Sequence, residues 1–334
     1  MKPRKGELMK LEAFYKEIIK IGIENDPRGK TKIKEILKER KKNFEALTSE
    51  KKEFFDQESL FNPYTDSRII AGDPQTDVRK ILAGIDIDTS ELLLAYTLNK
   101  NGEGIDLVLS HHPAGKALVT FYEVMDLQVD IFYAQGISLS TAENLLFQRK
   151  SEVERRISAS NFARTEDSAR LLGLNLISAH TPADNLAYKF VEEKFSREKP
   201  KNLDQIIDML LEIEEYKEAA KKGNPPRIIN GRPTSSVKKI HVEFTGGTEG
   251  PKEIYEKLAN SGVDTIVSMH LSEEHYQSAK KANLNIVLAG HISSDSLGLN
   301  LLLDKLQEKF QFKVLTCSGF KRFSHPSKQR KKRK

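Results

Sequence analysis

IDLVLSH (105–111), LNLISAH (174–180), VDTIVSMH (263–270) and LNIVLAGH (284–291) are the four stretches whose likeness organises this chain. Each opens with an apolar residue followed by Asp or Asn, runs through an apolar middle and ends in histidine. Short apolar runs of this kind read as buried strands. Helical patterns separate them, and strands alternating with helices predict parallel sheets. The order strand, helix, strand ending in His, helical segment, strand ending in His occurs twice. In both halves the second His is followed four residues later by Asp, giving His180 with Asp184 and His291 with Asp295. The pattern predicts an α/β fold: a duplicated α/β unit forming two lobes around a metal cleft, with an N-terminal helical arm. In parallel sheets the strand C-termini share one edge, and ligands bind there.

Outward from these strands, KILAGIDI (80–87) and KKIHVEF (238–244) read as the first strand of each half. Composition and turn signals divide the chain into a helical arm over 1–66, a first lobe over 67–200 and a connecting helix and loop over 201–235. A second lobe follows over 236–322, then a basic disordered tail over 323–334. In the arm, Leu8, Leu11, Phe14, Ile18 and Ile19 recur at helical spacing, which assigns it to packing or oligomer surface. KVLTCSGF (313–320) reads as the last strand of the second lobe. GGTEG (246–250) precedes a helix as phosphate-cradling loops do, but Glu249 would repel phosphate, so a tight turn is the better reading.

The histidines and aspartates carry the chemistry. Imidazole and carboxylate together suit zinc, manganese, iron or nickel. In an extended chain, adjacent His111 and His112 would point to opposite sides, which suits two neighbouring ions better than one. Asp295 lies one helical turn after His291 and shares its face. A carboxylate there can bridge two ions, and Asp184 adds negative charge from the other half. His111, His112, Asp184, His291 and Asp295 are therefore the candidate ligands of two divalent ions, set about 3.5–4 Å apart as in two-metal hydrolases. His180 and His270 are candidates for a catalytic base or for groups that orient the ligands. His241 and His325 read as structural.

Composition limits the alternatives. The 334 residues include a single Cys, which excludes an internal disulfide and points to the cytoplasm. Cys317, in an apolar run, reads as a buried inert thiol. No apolar run reaches the roughly 18 residues of a membrane span, and the first twenty residues lack the apolar core of a secretion signal. The net charge of +6 resides in the tail: without Lys328, Arg330, Lys331, Lys332, Arg333 and Lys334 the chain has 48 basic and 48 acidic residues. Such a tail could make weak, nonspecific contact with nucleic acid.

SHHP (110–113), SAHTPADN (178–185) and AGHISSDSLGLN (289–300) resemble, in order, the motifs of the NIF-three-like family, also called GTP cyclohydrolase type two homologs. The resemblance covers about residues 62–320. It implies a duplicated α/β fold, a dinuclear metal site between the halves and a homo-oligomer, in many members a ring-shaped hexamer. The family's ligands fall on His111, His112, Asp184 and His291, with Asp295 in place of a glutamate one methylene longer. The activity implied is metal-dependent hydrolysis of a phosphorylated or nucleotide-like small molecule. The alternative is a non-catalytic metal-binding or regulatory protein that docks partners.

Overall fold

The computed structural model describes residues 9–325. Leu8 and the charged run 326–334 lie outside them. The strands are β1 (Met9–Lys10), β2 (Arg68–Ala71), β3 (Asp77–Val78), β4 (Lys80–Gly84), β5 (Leu107–Ser110), β6 (Leu176–Ser178), β7 (Arg227–Asn230), β8 (Ile240–Glu243), β9 (Thr265–Ser268), β10 (Asn285–Leu288) and β11 (Lys313–Thr316). One sheet has the order β11-β4-β5-β6-β2 and the other β7-β10-β9-β8, while β1 and β3 form a separate pair. In each sheet three strands are parallel, β4, β5 and β6 or β8, β9 and β10, and an earlier strand, β2 or β7, pairs antiparallel with the third. Four strands of the first sheet, β2, β4, β5 and β6, thus correspond in direction and order to the four of the second.

The Asp or Asn that opens each repeat has a structural task. Asp106 Oδ2 accepts the backbone N–H groups of Arg79 and Lys80 at 2.8 and 2.9 Å. Asp264 Oδ2 accepts those of Lys238 and Lys239 at 2.9 and 2.8 Å. Each carboxylate ties the start of a neighbouring strand to its own, satisfying donors that the ladder leaves open.

Strand side chains alternate between faces. Ile81, Ala83, Leu107, Leu109 and Ile177 enter a core with Phe14, Ile18, Leu299 and Leu303. Leu82, Val108 and Leu176 enter the opposite one with Leu92 and Ala169. In the second sheet, Val242, Val267 and Val287 pack with Ala187, Val191 and Leu297, while Ile266 and Ile286 pack with Ile254 and Leu258. The helices Thr181–Glu198 and His291–Gln307 each contribute to the inward core of both sheets. The two halves therefore share one helix layer.

Two segments differ from the sequence reading. β11 does not extend the second sheet; it pairs parallel with β4 on the edge of the first. β7, inside the expected connection, completes the second sheet. The helix Leu11–Asn25 of the arm packs as its apolar spacing predicts: Leu11, Phe14 and Ile18 are fully buried in the first sheet's core. Arg68, itself buried, fastens the rest of the arm by donating to Thr65 O at 2.9 Å and Glu58 Oε2 at 2.6 Å and by pairing with Asp56. Within the expected tail, His325 is held by Glu215 at 2.8 Å, a structural role. Near and non-local pairings of this kind leave no periodic signal.

The two shared helices meet at Gly298. A Cβ there would stand 2.5 Å from the Ala183 carbonyl oxygen, and backbone cannot yield as a side chain does. Gly298→Ala should therefore destabilise the protein by about 1–3 kcal/mol through overpacking. Denaturant titration checks this, and an unchanged midpoint would show that the helices have room to spare.

Candidate metal centre

The C-terminal edges of both sheets supply the site. After β5 the chain bends: the Ser110 hydroxyl donates to the His112 carbonyl at 2.6 Å. The N–H groups of His111 and His112 donate to the carbonyls of Gly84 and Ile85, both at 2.9 Å. The bend ends the alternation expected of an extended chain, and the two rings lie 5.2 Å apart rather than pointing away from each other. His180 stands at the N-terminus of the helix Thr181–Glu198, with Asp184 one turn in. His291 opens the helix His291–Gln307, and Asp295 follows one turn later.

These side chains converge. His111 Nε2 lies 3.3 Å from Asp184 Oδ1 and 3.5 Å from Asp295 Oδ1. Asp295 Oδ2 lies 3.4 Å from His112 Nε2 and 3.3 Å from His291 Nε2. His180 Nε2 is 3.6 Å from Asp184 Oδ2. Three groups have ligand atoms close enough to hold an ion: His111, His112 and His180; His112, His291 and Asp295; His111, Asp184 and Asp295. All five residues expected as ligands are brought together, and His180 joins them. His270 stands beside the cluster, its ring 4.6 Å from that of His291.

Charge and hydrogen bonding test whether a cation fits. Among the described residues, seven buried side-chain polar atoms lack a hydrogen-bond partner. Four are here: both nitrogens of His111, Asp184 Oδ1 and Asp295 Oδ2. Leaving such groups unpaired costs about 1–3 kcal/mol each. Two donor atoms each about 2.1 Å from one tetrahedral ion stand about 3.4 Å apart, and the separations above match that spacing. Cations in the cluster would give partners to His111 Nε2, Asp184 Oδ1 and Asp295 Oδ2 but not to His111 Nδ1, because the two nitrogens of one ring diverge. Without them, protons must do so. Burial lowers the His111 pKa, but the Asp295 and Asp184 carboxylates overcome it and hold it at about 10. Burial would raise the Asp295 pKa, yet the neighbouring imidazoles, His111 foremost, hold it well below the usual carboxylate range.

Two carboxylates orient the rings from behind. Asp86 Oδ1 accepts from His112 Nδ1 at 2.6 Å. The buried Asp66 accepts from His180 Nδ1 at 2.9 Å and from the Thr181 hydroxyl at 2.6 Å. Each fixes the tautomer so that Nε2 faces the cluster, the usual arrangement behind a ligating histidine. Neither aspartate stood out in the sequence. Asp66 lies in NPYTDS, which reads as a loop, and its 114-residue separation from His180 carries no local signal.

The cluster opens on a cavity that His180, Asp184, His291 and Asp295 line at one end. Its other end follows the edge of the second sheet past Glu243, Glu249 and His270. There the GGTEG segment is not a phosphate cradle. Glu249 itself accepts the Ser272 N–H at the start of the helix Glu273–Lys281, the place an anion would take. Its carboxyl is held down at about 2: burial opposes this, but His270 and the Ser272 N–H prevail.

Comparison with known proteins gives the same grouping. Residues 153–321, just over half of the chain, match the family Duf34/NIF3 (NGG1p interacting factor 3). The match is narrower than the span of the motifs. It takes in His180, Asp184, His291 and Asp295 and begins after His111 and His112. A "GTP cyclohydrolase 1 type 2 homolog" of Chlamydia pneumoniae is 24% identical over 259 residues, covering 75% of this chain and 88% of its own length. A protein of the same description from Allochromatium vinosum is 33% identical over 85 residues, covering 25% of this chain and 32% of its own. The crystal structure of a NIF3 superfamily protein from Sphaerobacter thermophilus superposes with a TM-score of 0.69 at 23% identity. That superposition covers 91% of this chain and 98% of the other. From the matched region and the shared fold, the chain belongs to the Duf34/NIF3 family.

Proposed function

We propose that the chain is a metal-dependent hydrolase of a phosphorylated or nucleotide-like small molecule, in which Asp295 would be shared between the residues holding two divalent ions. The observation that carries this reading is the division of the Asp295 carboxylate, whose Oδ1 faces His111 while Oδ2 faces His112 and His291. The aspartate reaches all three rings at 3.3–3.5 Å despite being one methylene shorter than glutamate. His111, Asp184 and Asp295 would hold one ion, and His112, His291 and Asp295 the other. Three protein donors per ion leave coordination positions for water and substrate, as in catalytic rather than structural sites. Nitrogen and oxygen donors without thiolate suit zinc, manganese, iron or nickel.

The ion pair would supply Lewis acidity and lower the pKa of water toward neutrality. The chain's residues do the rest. Asp86 and Asp66 hold His112 and His180 in register. His180 is buried with Nδ1 committed to Asp66, so His270 is the better placed proton carrier: it lines the cavity, and the Glu249 carboxylate 3.6 Å from its Nδ1 raises its pKa. The description shared by the two bacterial relatives supports a nucleotide-like substrate. Exposed Phe147 and Leu171 support assembly with further copies, for which the family resemblance suggests a hexamer. No helix among the described residues is long and apolar enough to cross a membrane, and with the single cysteine this supports a cytoplasmic location.

Elemental analysis of protein loaded with zinc, manganese or iron should give about two equivalents per chain. His291→Ala should fall to about one and Asp295→Asn to near none, because only Asp295 serves both ions. Equal losses in the two variants would remove the bridge. His270→Gln should keep its metal while turnover drops by about 10²-fold or more. Turnover is read as phosphate or base release from a panel of nucleotides and phosphomonoesters. Two equivalents of metal with no turnover on any panel member would sink the hydrolase reading and favour a metal-binding protein that docks partners.

A further inference from the structure

The end of the cavity away from the histidine–aspartate cluster has a chemistry of its own. Ile131, Phe132 and Met269 give it apolar walls. Gln128, His241, Glu243 and Glu249 give it polar groups. Gln128 is 5% exposed, and its Nε2 donates to the carbonyls of Gly246 and Thr248 at 2.8 and 2.7 Å. Those two bonds fix the amide and leave Oε1 as a buried acceptor with no partner. His241 is 2% exposed, and its Nδ1 is likewise unpartnered. Two of the three unpartnered buried atoms outside the histidine–aspartate cluster therefore belong to side chains lining this one cavity end. Glu243 lines the same cavity, its Oε1 3.7 Å from His241 Nε2 and its Oε2 accepting from the Tyr255 hydroxyl at 3.3 Å. Burial pushes its carboxyl up to about 7, so an arriving positive charge would help it ionise.

An amide oxygen and two carboxylates make an acceptor surface. They favour N–H donors over anions. Apolar walls suit the faces of a planar ring. We propose that this end is a recognition subsite for a nitrogen-bearing ring whose N–H groups donate to Gln128 Oε1 and Glu243, with the ring against Phe132 and Met269. The subsite names the non-reacting end of the substrate. It rests on the hydrolase reading only in placing the reacting end at the cluster.

Benzamidine, benzamide and benzoate share a ring with a planar head and differ in charge and donors. Ligand-observed NMR titration of the full chain at pH 8, as isolated and after chelation, measures each affinity. In both preparations benzamidine and benzamide should bind. After chelation benzoate should bind at least about tenfold more weakly than either, since no metal is left to hold a carboxylate. Glu243→Gln keeps shape and removes charge; it should weaken benzamidine by about tenfold and benzamide by less than about threefold. Gln128→Met, which removes the acceptor, should weaken both. Benzoate binding the chelated protein as tightly as benzamide, parental affinities in both variants, or no binding by any of the three probes would overturn the subsite. Because the chelated arm uses no metal, its outcome stands apart from the metal count of the parent protein.

Discussion

The Ala183 carbonyl and the bare Cα of Gly298 set the distance between two helices, and much of the molecule follows from that distance. The helices Thr181–Glu198 and His291–Gln307 each begin at a sheet edge and carry Asp184 and Asp295 in their first turns. Their apolar sides fill the cores of both sheets, so neither half can shift without the other. Close-packed interiors transmit displacement. A helix pushed outward at position 298 would carry Asp295 away from His111 and His112, which are fixed separately to the end of β4 through the carbonyls of Gly84 and Ile85.

The two halves keep one backbone plan and divide the chemistry. Ser110 and Ser268 each donate to the carbonyl two residues on, at 2.6 Å, and so shape the same bend after β5 and β9. At the equivalent bend the first half places His111 and His112, and the second places Met269 and His270. In the register of the two sheets Gly84 faces Ser110, while Glu243 faces Ser268. The first half thus contributes adjacent imidazoles at the shared edge, and the second contributes a carboxylate-lined cavity. The plan tolerates the exchange because it rests on main-chain hydrogen bonds and on the strand-opening Asp106 and Asp264, which the exchange leaves alone.

The cluster works against the stability of the fold that holds it. Buried imidazole and carboxylate atoms without hydrogen bonds are unfavourable in a low-dielectric interior. They persist because the surrounding helices and strands over-determine their positions. Protein groups that a fold would otherwise avoid gathering are commonly found where a ligand or ion completes them. Asp66 and Asp86 add to this constraint from behind by committing His180 and His112 to one tautomer each.

Much of this was legible along the chain, for a physical reason. Strand and helix periodicity are local, so the repeats ending at His111, His180, His270 and His291 announced parallel strands twice over. Parallel strands bring their C-termini to one edge, which is why His111, His112, Asp184, His291 and Asp295 could be grouped before any coordinates. Only the tertiary structure decided the partners that leave no period: β11 crossing back to β4, the first sheet's core as the one that the helix Leu11–Asn25 enters, and Asp66 behind His180. It alone decided that His111 and His112 converge, since the bend after Ser110 depends on a hydroxyl hydrogen bond that strand geometry does not foresee. Sequence spacing settles which face and which edge a residue occupies. Which distant residue meets it there is settled by the packing of whole elements, and that information is spread over the entire chain.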